Sequence, residues 1–226
     1  MKKIITLLII LAALICALFL IFTYTSVRTP FSAPPAQSLE ITTAEVHEDT
    51  SVYSINAQYP QFGIPAIDSQ IQQAVEAAAD DIRTSPANPP EMASPQNTFD
   101  GTFDKLYAGG DIISVELVLS EYTGGAHPST IFRGMSFDHA TGKRLTLDDA
   151  LRLTGLTLEQ VAAQSSAQLQ QKLGDGFQFQ AGASASADNY GDFLVDSKNV
   201  TFIFQQYQVA AYAAGQQYVS FPRRQY

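Results

Sequence analysis

Residues 98–138, TFDGTFDKLYAGGDIISVELVLSEYTGGAHPSTIFRGMSFD, decide the fold. Ile113, Val115, Leu117 and Leu119 alternate with Ser114, Glu116 and Ser120. A period of two places the aliphatic set on one face of a strand and the polar set on the other. Ala108-Gly109-Gly110-Asp111 and Thr123-Gly-Gly-Ala-His-Pro128 are turn sequences on either side. A strand with Phe99 and Phe103 precedes, and one with Ile131, Met135 and Phe137 on a single face follows. A three-stranded meander results, and its apolar face needs a covering layer.

Residues 66–83 supply that layer. Ile67, Ile71, Val75, Ala78 and Ile82 recur at intervals of three or four, the spacing of one helix stripe. Ahead of it, Leu39–Val46 and Ser51–Ala57 predict two strands around a polar turn at His47–Thr50, with Tyr59-Pro60 expected to end the ladder. Residues 84–97 carry four prolines and predict a surface loop.

On the other side of the meander, Asp138–Lys143 turns the chain. Thr146 with Asp149, and Thr157 with Gln160, predict two capped helices. The first stops near Gly155. The second presents Leu158, Val161, Ala162, Ser165, Leu169 and Leu173 and closes at Gly174. Residues 174–189, rich in Gly, Ala, Ser and Asp, predict a flexible connection. Phe193–Val195 and Val200–Phe204 form a hairpin around Asp196–Asn199, and Tyr218–Phe221 is a last strand. Strands and helices are grouped rather than strictly alternating, so the expected fold is α+β with mainly antiparallel sheets and a few helices. Residues 39–226 are expected to form this part, either as one domain or as subdomains 39–138 and 139–226.

Residues 4–22, IITLLIILAALICALFLIF, contain no charge. As a helix they span about 28 Å, near the thickness of a bilayer's hydrocarbon core. Lys2 and Lys3 precede the run and hold that end in the cytoplasm by the positive-inside tendency. Residues 1–28 are therefore expected to be a signal anchor and transmembrane helix, placing a single-pass protein in the cell membrane with its C-terminal part outside the cytoplasm. A cleaved signal peptide is the competing reading, but its apolar run is ordinarily shorter, and Phe31-Ser32-Ala33 followed by Pro34 is a poor cleavage site. Cys16 reads as a buried side chain of the span. Residues 29–38, TPFSAPPAQS, read as a Pro/Ser/Ala linker.

The formal net charge is −9. Since Lys2, Lys3 and Arg28 are the only charges before Glu40, the rest carries ten basic against 22 acidic residues, a charge of −12. Such a part attracts cationic partners and lacks the basic stripe a nucleic-acid binder needs. One Cys excludes an intrachain disulfide framework, and three scattered His make a metal site unexpected. No cofactor motif is present.

Tyr122-Thr-Gly-Gly-Ala-His-Pro128 is the most distinctive segment. Gly124 and Gly125 permit positive φ, and Pro128 fixes the exit, so His127 is placed at a rigid hairpin tip. Two readings are open: a recognition loop with His127 as donor or acceptor, and the plainer one of a strained turn whose His packs or bonds locally. The C-terminal tyrosines, Tyr190, Tyr207, Tyr212, Tyr218 and Tyr226, either anchor a partner or fill a core. Ser129, His127 and Asp138 resemble no known triad segment. Asp80-Asp81 and Asp148-Asp149 read as a solvated helix end and a helix first turn.

Three segments together, Tyr122–Pro128, Phe137–Asp149 and Val200–Gly215 with its closing Val219-Ser-Phe-Pro222, resemble the exported domain shared by RsiV-type anti-sigma factors and the non-catalytic N-terminal region of PdaC-type peptidoglycan deacetylases. The resemblance covers roughly residues 39–222. Position 208 is Gln where the family commonly has Glu, and position 211 is Ala where it has Pro, which implies a less rigid turn. Only Met1-Lys2-Lys3 precede the span and no deacetylase segment follows Tyr226, so the module is expected without either output. In RsiV-like proteins such a domain binds lysozyme.

The resemblance and the charge together imply a membrane-anchored, non-catalytic binding or sensing module of the cell envelope. The expected partner is a cationic muramidase or cell-wall glycan, met by Tyr122, Gly124, Gly125, His127, Pro128, Tyr207 and Tyr212. The alternatives are a cell-wall-active enzyme, either a peptidoglycan hydrolase or a deacetylase accessory, and a structural envelope protein.

Overall fold

A computed structural model describes residues 39–89 and 96–224. The expected anchor at 1–28, the linker at 29–38, Tyr226 and part of the proline-rich loop lie outside the described residues. Among the described residues no helix is long and apolar enough to cross a membrane.

The first half builds a five-stranded sheet. Its strands are β1 (Thr42–Asp49), β2 (Tyr53–Gln61), β3 (Asn97–Ala108), β4 (Ile112–Tyr122) and β5 (Ser129–Asp138), in sequence order across the sheet. All pairs are antiparallel except β2 with β3, which are parallel and joined by the helix α1 (Pro65–Thr84). A parallel pair needs such a crossover. The second half adds α2 (Leu147–Thr154), α3 (Leu158–Leu173) and an antiparallel three-stranded sheet of β6 (Phe193–Val195), β7 (Asn199–Phe204) and β8 (Gln217–Pro222). The fold is α+β and mainly antiparallel, in the expected element order.

Two cores result. Ile113, Val115, Leu117 and Leu119 of β4 meet Ile67, Ile71, Val75 and Ile82 of α1 in the first. Burying each of these aliphatic side chains contributes about 1.5–3 kcal/mol. Phe202, Phe204, Val219 and Phe221 meet Val161 and Leu169 of α3 in the second. Both expected helix caps are present as reciprocal boxes, Thr146 with Asp149 and Thr157 with Gln160.

The polar face of β4 is shielded from water at its Ser114–Glu116 end, while Ser120 stays partly exposed. Ser114 and Glu116 are buried, because β6 packs there. Ser114 Oγ donates to Val195 O at 2.7 Å and lies 2.8 Å from Ser136 Oγ. Val118 and Phe132 of the large sheet meet Leu194, Ile203 and Tyr218 of the small one in a third apolar cluster.

The free edge of β5 is closed by groups from the second half. Gln205 accepts from Phe132 N at 2.9 Å and donates to Phe132 O at 2.8 Å. Asp192 accepts from Gly134 N, Arg144 donates to Gly134 O, and Leu145 N donates to Ser136 O. Gly134 is required here, since a Cβ would stand 2.6 Å from the Phe193 backbone.

Four local expectations change. Pro60 lies inside β2, opposite Thr43, instead of ending it. Beyond Ala57 that strand has lost its β3 neighbour, so a missing N–H is tolerated. The first turn is Thr50–Val52, with β1 running to Asp49; Thr50 Oγ1 accepts from Val52 N and Tyr53 N. Ala79 rather than Ala78 completes the buried stripe of α1. Residues 174–189 form three short 3-10 turns, fastened by Tyr190 OH donating to Ala183 O and by Asn189 Nδ2 donating to Ala181 O and Ser184 O.

Candidate functional site

The β4–β5 connection carries the first predicted segment. Gly124 and Gly125 take φ of 98° and 126°, values that favour glycine. Tyr122 OH donates to Gly125 O at 3.1 Å and draws the loop back onto its strand. Residues 125–128 are exposed. The His127 ring reaches Pro128 O through Nδ1 at 2.8 Å. With Nδ1–H donating there, Nε2 is left to accept.

The second predicted segment follows β7. The turn after Phe204 places Tyr207 in the left-handed region at φ 64°, unusual for a residue other than glycine, and leaves it 54% exposed. Val209 and Ala210 are buried in the second core, and the chain then rises again into a 3-10 turn that begins at Tyr212. The two tyrosines therefore stand out on either side of an apolar root.

These two segments, distant in sequence, meet. His127 and Tyr212 stack with ring centroids 4.0 Å apart and planes 20° from parallel. Tyr207 and Tyr212 lie 5.4 Å apart with planes inclined by 35°, and Tyr207 OH is 3.4 Å from His127 Nε2. Of the expected site residues, His127, Tyr207 and Tyr212 form the cluster itself. Gly124, Gly125 and Pro128 shape its loop, and Tyr122 braces it. Tyr190 and Tyr218 are not part of it: Tyr190 is buried against Phe202 and Phe204, and Tyr218 bonds Glu116.

Three side chains brace the segments that carry the cluster: Gln205 and Asp192, which the sequence did not point to, and Gln208, which it did. Gln205 fastens the end of β7 to β5 and also bonds Asp192. Burial raises the Asp192 carboxyl, against the pull of Arg133 and the Gly134 N–H. Gln208, which stands where the family commonly has Glu, accepts from Gln205 N and donates to Gly182 O and Asn189 O. These donated bonds require an amide, so the substitution fastens this turn. Ala211 has φ −60°, a value proline also adopts.

A second polar group lies under the sheet junction. Lys105, at φ 46° beside a bulge in β3, reaches Glu116, whose side chain is 1% exposed; both bond the Tyr218 hydroxyl. Burial works against the Lys105 ammonium, but Glu116 and Tyr218 outweigh it and hold its pKa above the usual value. Burial raises the pKa of the Tyr218 hydroxyl. Glu116 stands in the sequence only as one member of the polar face of β4, which does not mark this group. Among the described residues no group of three or more His, Cys, Asp or Glu is placed to hold a metal ion.

Residues 46–130 match the family model of the deacetylase PdaC, and residues 144–224 match that of a protein family of unknown function, DUF3298. The chain is PdaC-like in its first half and DUF3298-like in its second. The resemblance seen in the sequence thus holds on both sides of the cluster: the PdaC-like segment contributes His127 and the DUF3298-like segment contributes Tyr207 and Tyr212. Among solved structures, a DUF3298 family protein from Pseudomonas aeruginosa PAO1 is similar with a TM-score of 0.56 at 17% identity, over 82% of this chain and 91% of that one. A DUF3298 family member from Bacteroides fragilis NCTC 9343 is 18% identical over 82% of this chain and 90% of its own, with a TM-score of 0.48. The likeness to the Pseudomonas protein concerns the fold alone. No curated protein matches the chain.

Proposed function

We propose that this chain is a non-catalytic recognition module of the cell envelope, held at the membrane by its N-terminal apolar segment with the folded part outside the cytoplasm. Its ligand is a cationic muramidase or cell-wall glycan. The observation that carries this reading is the surface cluster of exposed His127 and Tyr207 with half-buried Tyr212, assembled from two distant segments. Aromatic rings with polar edges, held on a rigid turn, are the groups that anchor protein and saccharide ligands at low entropic cost. The left-handed backbone at Tyr207 supports it further, because strain is retained where a side chain must be displayed. The PdaC-like segment ties the reading to the cell wall, and the excess of acidic residues would speed encounter with a cationic protein.

The test is calorimetric titration of the full chain with a cationic lysozyme and, separately, with soluble muropeptides, at low and moderate salt. A saturable complex that survives moderate salt and weakens at least tenfold in Tyr212→Ala is the expected result. Heat that disappears with salt, or that Tyr212→Ala leaves unchanged, overturns the reading.

A further inference from the structure

The face of the five-stranded sheet opposite α1 is only partly covered by the second half of the chain. The uncovered part holds a groove of about 360 Å³ lined by Asn56, Gln58, Asp100, Thr102, Val118 and Ser120. That is near the lower end of the range of roughly 300–1,000 Å³ found for small-molecule sites. The lining follows from strand register: Asn56 pairs with Asp100, Asp100 with Ser120, and Thr102 with Val118, so these side chains share one face.

Four features define what the groove can take. First, Asn56, Asp100 and Thr102 carry an amide, a carboxylate and a hydroxyl that bond no other described residue. Second, no cation lines it, and the nearby Lys105 is engaged by Glu116 and Tyr218. Asp100 therefore meets anionic ligands with uncompensated repulsion. Third, Val118 also belongs to the apolar cluster with Phe132, Ile203 and Tyr218, which gives the groove one apolar border. Fourth, the same face of β4 continues from Ser120 to Tyr122, whose hydroxyl holds the loop that presents His127. Neutral donors and acceptors beside an apolar border, leading toward stacked aromatic rings, match a ligand that has hydroxyls and amides on its rim and C–H groups on its faces.

We infer that this groove is a saccharide subsite that takes a neutral, N-acetylated stretch of a glycan strand, with the His127–Tyr207–Tyr212 cluster receiving the next part of the same strand. The inference rests on the proposed recognition function and adds the ligand class and a second contact surface to it. Asp100 and Asn56 pair sugar hydroxyls, Thr102 and Ser120 meet the acetamido group, and Val118 lies under a ring face.

The probe is a soluble β-1,4-linked tetramer of N-acetylglucosamine, titrated calorimetrically into the full chain. The micelles are of a detergent without a sugar headgroup, since such a headgroup would compete. Asp100→Ala and Thr102→Lys are compared with the unaltered chain, and a thermal melt of each variant checks that it folds. Saturable binding that weakens at least tenfold in both folded variants is the expected outcome. Absence of binding, or equal affinity in Asp100→Ala and Thr102→Lys, overturns the inference. A parallel titration with a cationic muramidase separates the two levels. If the muramidase binds and Tyr212→Ala weakens it while the tetramer does not bind, the groove assignment falls and the recognition module stands. If neither ligand binds, both fall. If Asp100→Ala weakens only the muramidase, the face is a protein contact and the saccharide assignment falls.

Discussion

His127 and Tyr212 stack face to face at 4.0 Å, although one belongs to the hairpin of the large sheet and the other to the segment between the last two strands of the small one. A stack of this kind contributes about 0.5–1.5 kcal/mol beyond area burial. His127→Ala is expected to lower stability by about that amount in urea unfolding, and Tyr212→Ala by that plus the area its half-buried ring covers, while ligand affinity falls at least tenfold. A collapse of stability in either variant would mean that the pair is structural.

Tyr207 offers the converse experiment. A side chain at φ 64° carries a cost of roughly 1–2 kcal/mol that glycine avoids. Tyr207→Gly is expected to raise stability by about 1 kcal/mol and to lose ligand binding. Lower stability would show that the exposed ring packs more than it displays.

Ala211 already has the φ of proline and is exposed, and no described group accepts from its N–H. Ala211→Pro is expected to raise stability by about 0.4–1 kcal/mol by narrowing the unfolded ensemble. Ligand dissociation should slow, since Tyr212 is then held more firmly.

Gln205 makes both bonds to Phe132 and one to Asp192. Gln205→Ala leaves partly buried groups unpaired, at an expected cost of about 1–3 kcal/mol. Nuclear Overhauser contacts between the rings of His127 and Tyr207 should weaken in the same variant. Their persistence would mean that Gln205 does not position the cluster.

Acid should loosen the large sheet through Glu48. The hydrogen bond from Arg83 holds its pKa below the usual value, against the effect of burial, with Tyr53 adding a second bond. A depressed folded-state pKa gives stability that is present above the unfolded value and lost as pH falls through the folded one. Glu121 and Asp192, raised by burial, give the opposite slope. The readout is therefore the difference between the unaltered chain and Glu48→Gln: the gap in urea midpoint should be widest near neutrality and close between about pH 5 and pH 2.

What could be read from the sequence divides by range. The alternation in β4, the stripe of α1 and both capping boxes are local, since a few neighbouring residues specify each one, and all are present. Ser114 and Glu116 belong to an alternation that correctly gives a strand, yet nothing in it tells whether water or another sheet meets the polar face. Residues 174–189 have a loop composition, but Tyr190, Asn189 and Gln208 tie them down with bonds that composition does not encode. The Gly-Gly-Ala-His-Pro loop and the Tyr207–Tyr212 segment each stood out as exposed features. Their meeting did not, because it joins segments 80 residues apart across two sheets, with Gln205 bonding the Phe132 backbone in place of a strand between them.

That substitution for a strand reaches further than the aromatic cluster. From Phe132 to Ser136, the main-chain groups along the outer edge of β5 are bonded by the Gln205, Asp192 and Arg144 side chains and the Leu145 amide, all from the second half of the chain. Pulling the halves apart would uncover a bare strand border on one and strip the partners from the other. Neither half is then expected to fold by itself, and the two should melt in a single cooperative transition. A chain cut near residue 139 would yield two aggregating fragments that regain solubility only when refolded together.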